Sequence, residues 1–312
     1  MMTGYLLDVK GGRLDLPPFI SWDLKRTGTV PCDSFEGECP WDGGLDPRLE
    51  EGCRLILEED GARRFTGVLD ECRLTWDGRG GILLVSGRGM AALLLDNEAQ
   101  GRDYQVATLE DILREHVTPY GIQAAGKGNL PAVPGFSVAT GSSQWQVLYS
   151  FVRYHGGVEP RFDVYGKLWV GGGETGRRLE LDSRAGPIAV TWQDRRYGVC
   201  SEILVQDRWS LEPQRVTNEK FTAQGGRRRK VYTKPGKSPY AAMRYSGQYQ
   251  LDRSYEERFR LEVTLPGSWF CEPGDQLSIY LEKPRVTGSW KVLETRAVLD
   301  GKGSRVKLTL GR

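Results

Sequence analysis

Histidine is nearly missing from this 312-residue sequence, which has only His116 and His155. Each falls late in a predicted helix, where an imidazolium suits the carbonyl end of the dipole, so both read as surface or capping residues. His155-Gly156-Gly157 has the look of an oxyanion loop, but no Gly-x-Ser-x-Gly elbow accompanies it. No Cys-x-x-Cys pair occurs among Cys32, Cys39, Cys53, Cys72, Cys200 and Cys271, which excludes a zinc ribbon or a thioredoxin-type motif. These thiols read as reduced and partly buried, with a Cys32–Cys39 bridge left open. His-x-x-x-His and related metal-ligand spacings are absent. No apolar run approaches the roughly 20 residues of a spanning helix. The start, MMTGYLLDVKGG, lacks the basic and apolar regions of a signal peptide, so synthesis and retention in a cytoplasm are expected. A net charge of only +2 excludes bulk attraction to nucleic acid or acidic lipid. No cofactor is expected. Gly87-Arg88-Gly89-Met90-Ala91-Ala92 fits a dinucleotide fingerprint in form only, because no parallel strand follows its short helical piece.

Glycine and aromatics, in contrast, are plentiful: 40 Gly, with 22 Trp and Tyr together. Many turns combined with aromatic and β-branched positions point to β-rich architecture. Short apolar runs at Tyr5–Val9, Phe19–Lys25, Arg54–Glu59, Phe65–Thr75 and Gly81–Ser86 read as strands. Hairpins are expected at Glu59-Asp60-Gly61 and Asp77-Gly78. An acidic loop from Pro31 to Glu51 interrupts this set, which spacing suggests is a small barrel or sandwich.

The pattern then changes. Thr108-Leu109-Glu110-Asp111 has capping-box spacing, and Leu109, Ile112, Leu113 and Val117 follow on one helical face. Ser143-x-x-Gln146 opens a second helix with Trp145, Leu148, Tyr149 and Val152 as its apolar stripe, closed by Gly156-Gly157. A hairpin over Arg161–Val170 turns at Tyr165-Gly166. Strands return at Ile188–Gln193, Ser201–Gln206, Phe259–Leu265, Gln276–Leu281, Ser289–Leu299 and Arg305–Leu310, with turns at Pro273-Gly274-Asp275 and Asp300–Gly303. The fold class is therefore mainly β with an α+β insertion. Two small barrel-like domains, 1–96 and 186–312, flank a compact α+β unit, 97–185. The glycine-dotted basic stretch 207–258 reads as further strands plus an assembly arm, since so long a structureless loop is unusual in a compact domain.

Charge is unevenly spread. Residues 33–60 carry ten acidic and two basic side chains, whereas 215–250 carry nine basic and one acidic. Two readings stand: unrelated solvated loops, or complementary assembly surfaces. The candidate surface residues are Asp42, Asp46, Glu50 and Glu51 on one side, and Arg227, Arg228, Arg229 and Lys230 on the other. The same acidic cluster, with Glu256 and Glu257, is what a glycosidase pair would draw on, so a carbohydrate-active β-rich enzyme acting on cell-wall glycan is the alternative function. The basic run near Tyr232, Tyr240, Tyr245 and Tyr249 raises single-stranded nucleic acid as a partner, against which the near-neutral whole chain weighs.

The run Leu84–Ala99 resembles a segment of phage tail-hub proteins, the late control gene D and Mu-type baseplate hub family. In that family a strand ends in Gly-Arg-(Asp/Gly) and leads into x-x-x-Leu-x-Asp-x-x-Ala. Here Gly87, Arg88, Leu94 or Leu95, Asp96 and Ala99 fill those places. The Thr108 helix ending in Pro119-Tyr120-Gly121-Ile122, the hairpin with Asp163 and Gly166-Lys167-Leu168, and strands around Gly274-Asp275 and Trp290–Leu299 follow in the family's order. The resemblance covers most of the chain and implies a non-enzymatic homotrimer whose six barrels form a pseudo-sixfold ring. Such a ring joins a sixfold tail tube to a threefold spike, so its partners are itself, the tube protein, the spike protein and other baseplate proteins. A membrane partner is not expected, nor a nucleic acid. The implied location is the tip of a virion tail or tail-like particle, after synthesis in a bacterial cytoplasm. No lysozyme-like or peptidoglycan-binding unit accompanies the motifs, so cell-wall cleavage is not carried over.

Overall fold

The computed structural model describes residues 1–312 apart from 29–31, 79, 127, 157, 172–175, 208–211, 235–239, 257 and 268–270. The chain is mainly β with an α+β insertion, as its sequence indicates. Among the described residues, thirteen strands from both ends of the sequence join one sheet. From its free edge at Ala189–Asp194 the sheet runs through Phe259–Pro266, Gly303–Gly311 and Val286–Asp300. It crosses to Ser21–Thr27 and continues through Ser34–Pro40, Gly80–Gly89, Ala62–Asp77, Arg54–Glu59 and Met2–Leu7 to Arg13–Leu16. A branch adds Gln276–Leu281 beside Val286–Asp300, and Arg178–Asp182 parallel to Gln276–Leu281.

The crossing between the two β regions is an antiparallel ladder from Thr27↔Glu294 to Trp22↔Leu299. Strict alternation in Ser21–Thr27 turns Trp22, Leu24 and Arg26 inward and leaves Asp23 and Lys25 outside. Outside, Lys25 pairs with Glu294 at 3.3 Å, and Arg296 Nε donates to Asp23 Oδ2 at 2.9 Å. Inside, Arg26 is buried but compensated by Asp33 (3.1 Å) and Glu272, as a desolvated guanidinium requires. Burial holds the Glu272 carboxyl above its ordinary pKa despite that neighbour. Trp22, Leu24, Phe35, Leu55 and Phe65 share one apolar cluster with Leu261, Trp290, Val292 and Leu308.

Several boundaries follow the sequence closely. Arg54–Glu59 and Gln276–Leu281 are strands over the predicted residues. Asp60, at φ 51°, turns the hairpin that pairs Glu59 with Ala62. The acidic loop is shorter than expected: Ser34–Pro40 is a central strand with Phe35 and Cys39 buried, and Pro47–Glu51 is a helix. Its period-2 alternation is apolar-inward, with Glu36 and Glu38 facing out, so charge content concealed the strand.

The insertion has its own core. Both capping boxes form: Thr108 with Asp111 and Ser143 with Gln146. The helix Gln144–Tyr149 runs into a π-helical stretch, Ser150–His155, that places Leu148, Phe151 and Val152 in the core. Gly157, part of the predicted stop, lies outside the described residues. Residues 161–162 and 168–169 form the expected hairpin, whose turn is held by Asp163 Oδ1 accepting from the Tyr165 and Lys167 amides, each at 2.9 Å.

The basic stretch folds around a third cluster. Glu202–Asp207 lies between Gln214–Thr217 and Arg229–Lys234, and a helix over Tyr240–Glu256 packs on them. Of the expected arm, 208–211 and 235–239 lie outside the described residues. The helix was not foreseen. On its inward face, Met243, Ser246, Gly247 and Leu251, the small Ser246 and Gly247 interrupt the apolar period. A Cβ at Gly247 would lie 2.9 Å from Val216 Cγ2 and 3.1 Å from Val205 Cγ2, so glycine permits this close approach of helix to sheet.

Candidate assembly surfaces

The acidic residues sit on the loop and helix Trp41–Glu51. Asp46 caps the helix, its Oδ1 accepting from the Arg48 amide at 2.9 Å while Arg48 Nη2 donates to Oδ2 at 2.6 Å. The Arg48 guanidinium holds the Asp46 carboxyl below the usual range. Buried Trp41 donates its indole N–H to the Gly44 carbonyl at 2.8 Å, and Leu49 packs on the main core. Anchored in this way, the loop presents Asp42, Glu50 and Glu51 to solvent together with Leu45, which is 83% exposed.

The basic residues lie at the third cluster. Arg227 Nη1 donates to the carbonyls of Thr222 (3.0 Å) and Gly226 (2.8 Å), and Arg228 donates to the Tyr197 carbonyl. Arg229 and Arg215 share the carboxylate of Glu202, whose pKa they lower, chiefly through the Arg229 hydrogen bond. Lys230 is exposed on the outer strand of its sheet. Among the described residues no ion pair joins the acidic to the basic segment.

The motif residues behind the sequence resemblance have structural tasks. Arg88 reaches Asp70 at 2.8 and 3.0 Å and Asp96 at 2.7 and 3.0 Å, tying the strand Ala62–Asp77 to the end of the short helix Ala92–Leu95. This paired geometry resists distortion better than a single ion pair, and it holds the Asp96 carboxyl below its ordinary pKa. Leu94 and Ala99 are buried in the insertion core. Asp275 accepts from the amides of Arg177 and Glu272, both at 2.8 Å, and from Arg177 Nη2 at 2.7 Å.

One polar group was missed. His116, read from sequence as surface or capping, is buried: Nε2 lies 3.0 Å from the Tyr104 hydroxyl and Nδ1 2.7 Å from Gln144 Oε1. Gln144 Nε2 in turn donates to the Tyr120 hydroxyl (3.0 Å) and the Glu98 carbonyl (3.1 Å). The spacing held the signal, because His116 falls three, four and seven residues after Leu113, Ile112 and Leu109 on the helix's apolar face. Among the described residues no group of three or more His, Cys, Asp or Glu is arranged to hold a metal ion.

No family model matches the sequence, and no curated protein matches it. Solved structures do. The tail protein from Neisseria meningitidis MC58 superposes with a TM-score of 0.78 at 20% identity, over 100% of this chain and 96% of that one. The 43 kDa tail protein of prophage MuSo2 from Shewanella oneidensis gives 0.77 at 16% identity, over 99% and 98%. An E. coli component of the type VI secretion system, itself structurally similar to the bacteriophage tail proteins gp27 and gp5, gives 0.60 at 14% identity, over 94% and 73%. At such identities the fold is what is shared: this chain has the fold of phage tail proteins of the baseplate-hub type.

Proposed function

We propose that this protein is a hub subunit of a phage-type tail, a homotrimer that forms a pseudo-sixfold ring between a sixfold tube and a threefold spike. The end-to-end likeness to two tail proteins, with 96% and 98% of their chains covered, carries this reading. Two β regions joined in one sheet support this reading, since three copies with two such regions each make six. On this reading 1–96 and 186–312 are the ring-forming domains, 97–185 is the unit inserted between them, and 207–258 reaches toward partners. Its partners are its own copies, the tube, the spike and other baseplate proteins, and it resides at the tail tip after cytoplasmic synthesis. It has no turnover of its own.

Light scattering on the purified chain tests the proposal, with negative-stain images alongside. Trimers, seen as rings of six lobes, are expected. A monomer at every concentration, failing to attach to purified tubes, would overturn it. Cell-wall glycan should remain intact on incubation. Hydrolysis lost on substituting one carboxylate would establish the enzymatic reading instead.

A further inference from the structure

Two exposed surfaces lie far apart in the sequence, one basic and one acidic, and each carries exposed apolar side chains. The first follows the free edge of the main sheet. Among the described residues, strand Ala189–Asp194 is paired on one side only, with Val190 opposite Val263 and Trp192 opposite Leu261, both core residues. The row Ile188, Val190, Trp192 is therefore on the core-facing side, yet Ile188 is 62% and Trp192 56% exposed. The Trp192 ring stacks on Phe259 with centroids 6.3 Å apart, which fixes its orientation. The following turn raises Tyr197, 80% exposed, beside Arg196 and beneath Arg228, which donates to its carbonyl. Asp194 is shared between Arg196 (2.8 Å) and Arg258 (2.7 Å), so with Arg227 and Arg228 the patch keeps a positive balance. The second surface is the anchored acidic loop, which exposes Leu45 together with Asp42, Glu50 and Glu51.

We infer that the acidic loop of one copy docks on the edge patch of the next, with Leu45 seated against Trp192 and Tyr197. Asp42, Glu50 and Glu51 then face Arg196, Arg227 and Arg228. An exposed leucine among acidic side chains fits a surface that exposes apolar and basic side chains together. The two surfaces differ and lie on one chain, so the contact is heterologous and repeats around a ring until it closes. Arg229 takes no part, being held by Glu202. The occupant is a second copy rather than nucleic acid, because this chain itself carries the complementary acidic loop with exposed Leu45, and a net charge of +2 gives no bulk attraction to phosphate. This deepens the hub reading and rests on it.

The test uses the full chain with the photoreactive residue benzoyl-phenylalanine in place of Leu45. Irradiation should join it to the 192–197 peptide of another copy. Arg227→Glu with Arg228→Glu should weaken self-association roughly tenfold at low salt, and less as salt rises. Adding Glu50→Arg and Glu51→Arg should restore it. Because the cross-link is read in an otherwise unaltered protein, a misfolded reversal variant leaves the question answerable. Trimers that cross-link elsewhere, or whose association ignores the reversal, overturn the docking and leave the hub reading standing. Reversal that spares the trimer but stops attachment to tubes gives the patch to the tube protein and also overturns it. A wild-type chain that never self-associates removes both readings together.

Discussion

Replacing Gly87 with alanine should destabilise the protein by about 2–4 kcal/mol, although the change adds only one methyl group. Gly87 is buried in a central strand, opposite Phe35 on one side and Leu69 on the other. A Cβ there would stand 2.3 Å from the Val68 carbonyl oxygen, a backbone atom that no rotamer change can remove. About 1 Å of separation between the strands is needed to relieve the overlap. That should cost a cross-strand hydrogen bond, about 1 kcal/mol, plus about 1–3 kcal/mol of overpacking strain. The register shift between Leu69 and Glu71 lies beside this position and aims Asp70 at Arg88, so the distortion should also loosen the Arg88 clamp. Urea unfolding followed by circular dichroism measures the loss from the shift in midpoint. Gly301→Ala is the control, because a Cβ at Gly301 meets nothing within 4 Å. If Gly87→Ala unfolds at the wild-type midpoint, the close approach of the two strands is not what selects glycine, and the reasoning fails.

Leu148 is fully buried in the insertion core, so Leu148→Ala should cost about 2–5 kcal/mol; a loss below about 0.5 kcal/mol would count against that packing. Gly247→Val should destabilise the third cluster selectively, since its Cβ already meets two valine methyls; hydrogen exchange slowed equally in strands 202–207 of wild type and variant would refute this. Asp96, Asp194 and Glu115 have carboxyl pKa values below their ordinary range, chiefly through hydrogen bonds from Arg88, Arg258 and Tyr104 respectively. Their stabilisation is complete above the ordinary carboxylate range near about pH 4 and is lost as pH falls through the lower folded values. The melting temperature should therefore drop steeply below that range, and a flat profile from neutrality into acid would contradict the sign.

The sequence by itself determined the order of elements wherever local chemistry is decisive. Thr108 and Ser143 each stand three residues before a reciprocal partner, and both capping boxes formed because those bonds need only one turn of chain. Apolar spacing likewise identified Trp145, Leu148 and Val152 as interior. The strand Ser34–Pro40 was hidden by the charge of its outward Glu36 and Glu38, and the helix Tyr240–Glu256 because Ser246 and Gly247 on its inward face carry no hydrophobic signal. Only the tertiary structure decided which partner each charge has. It bound Asp46 to its own neighbour Arg48, gave Arg229 to Glu202 and buried His116 between Tyr104 and Gln144. It likewise joined the two β regions through Ser21–Thr27 and Val286–Asp300, strands more than two hundred residues apart in the sequence. Composition reports how many charges a segment carries, whereas pairing depends on side-chain atoms brought within a few ångströms by the folding of distant strands.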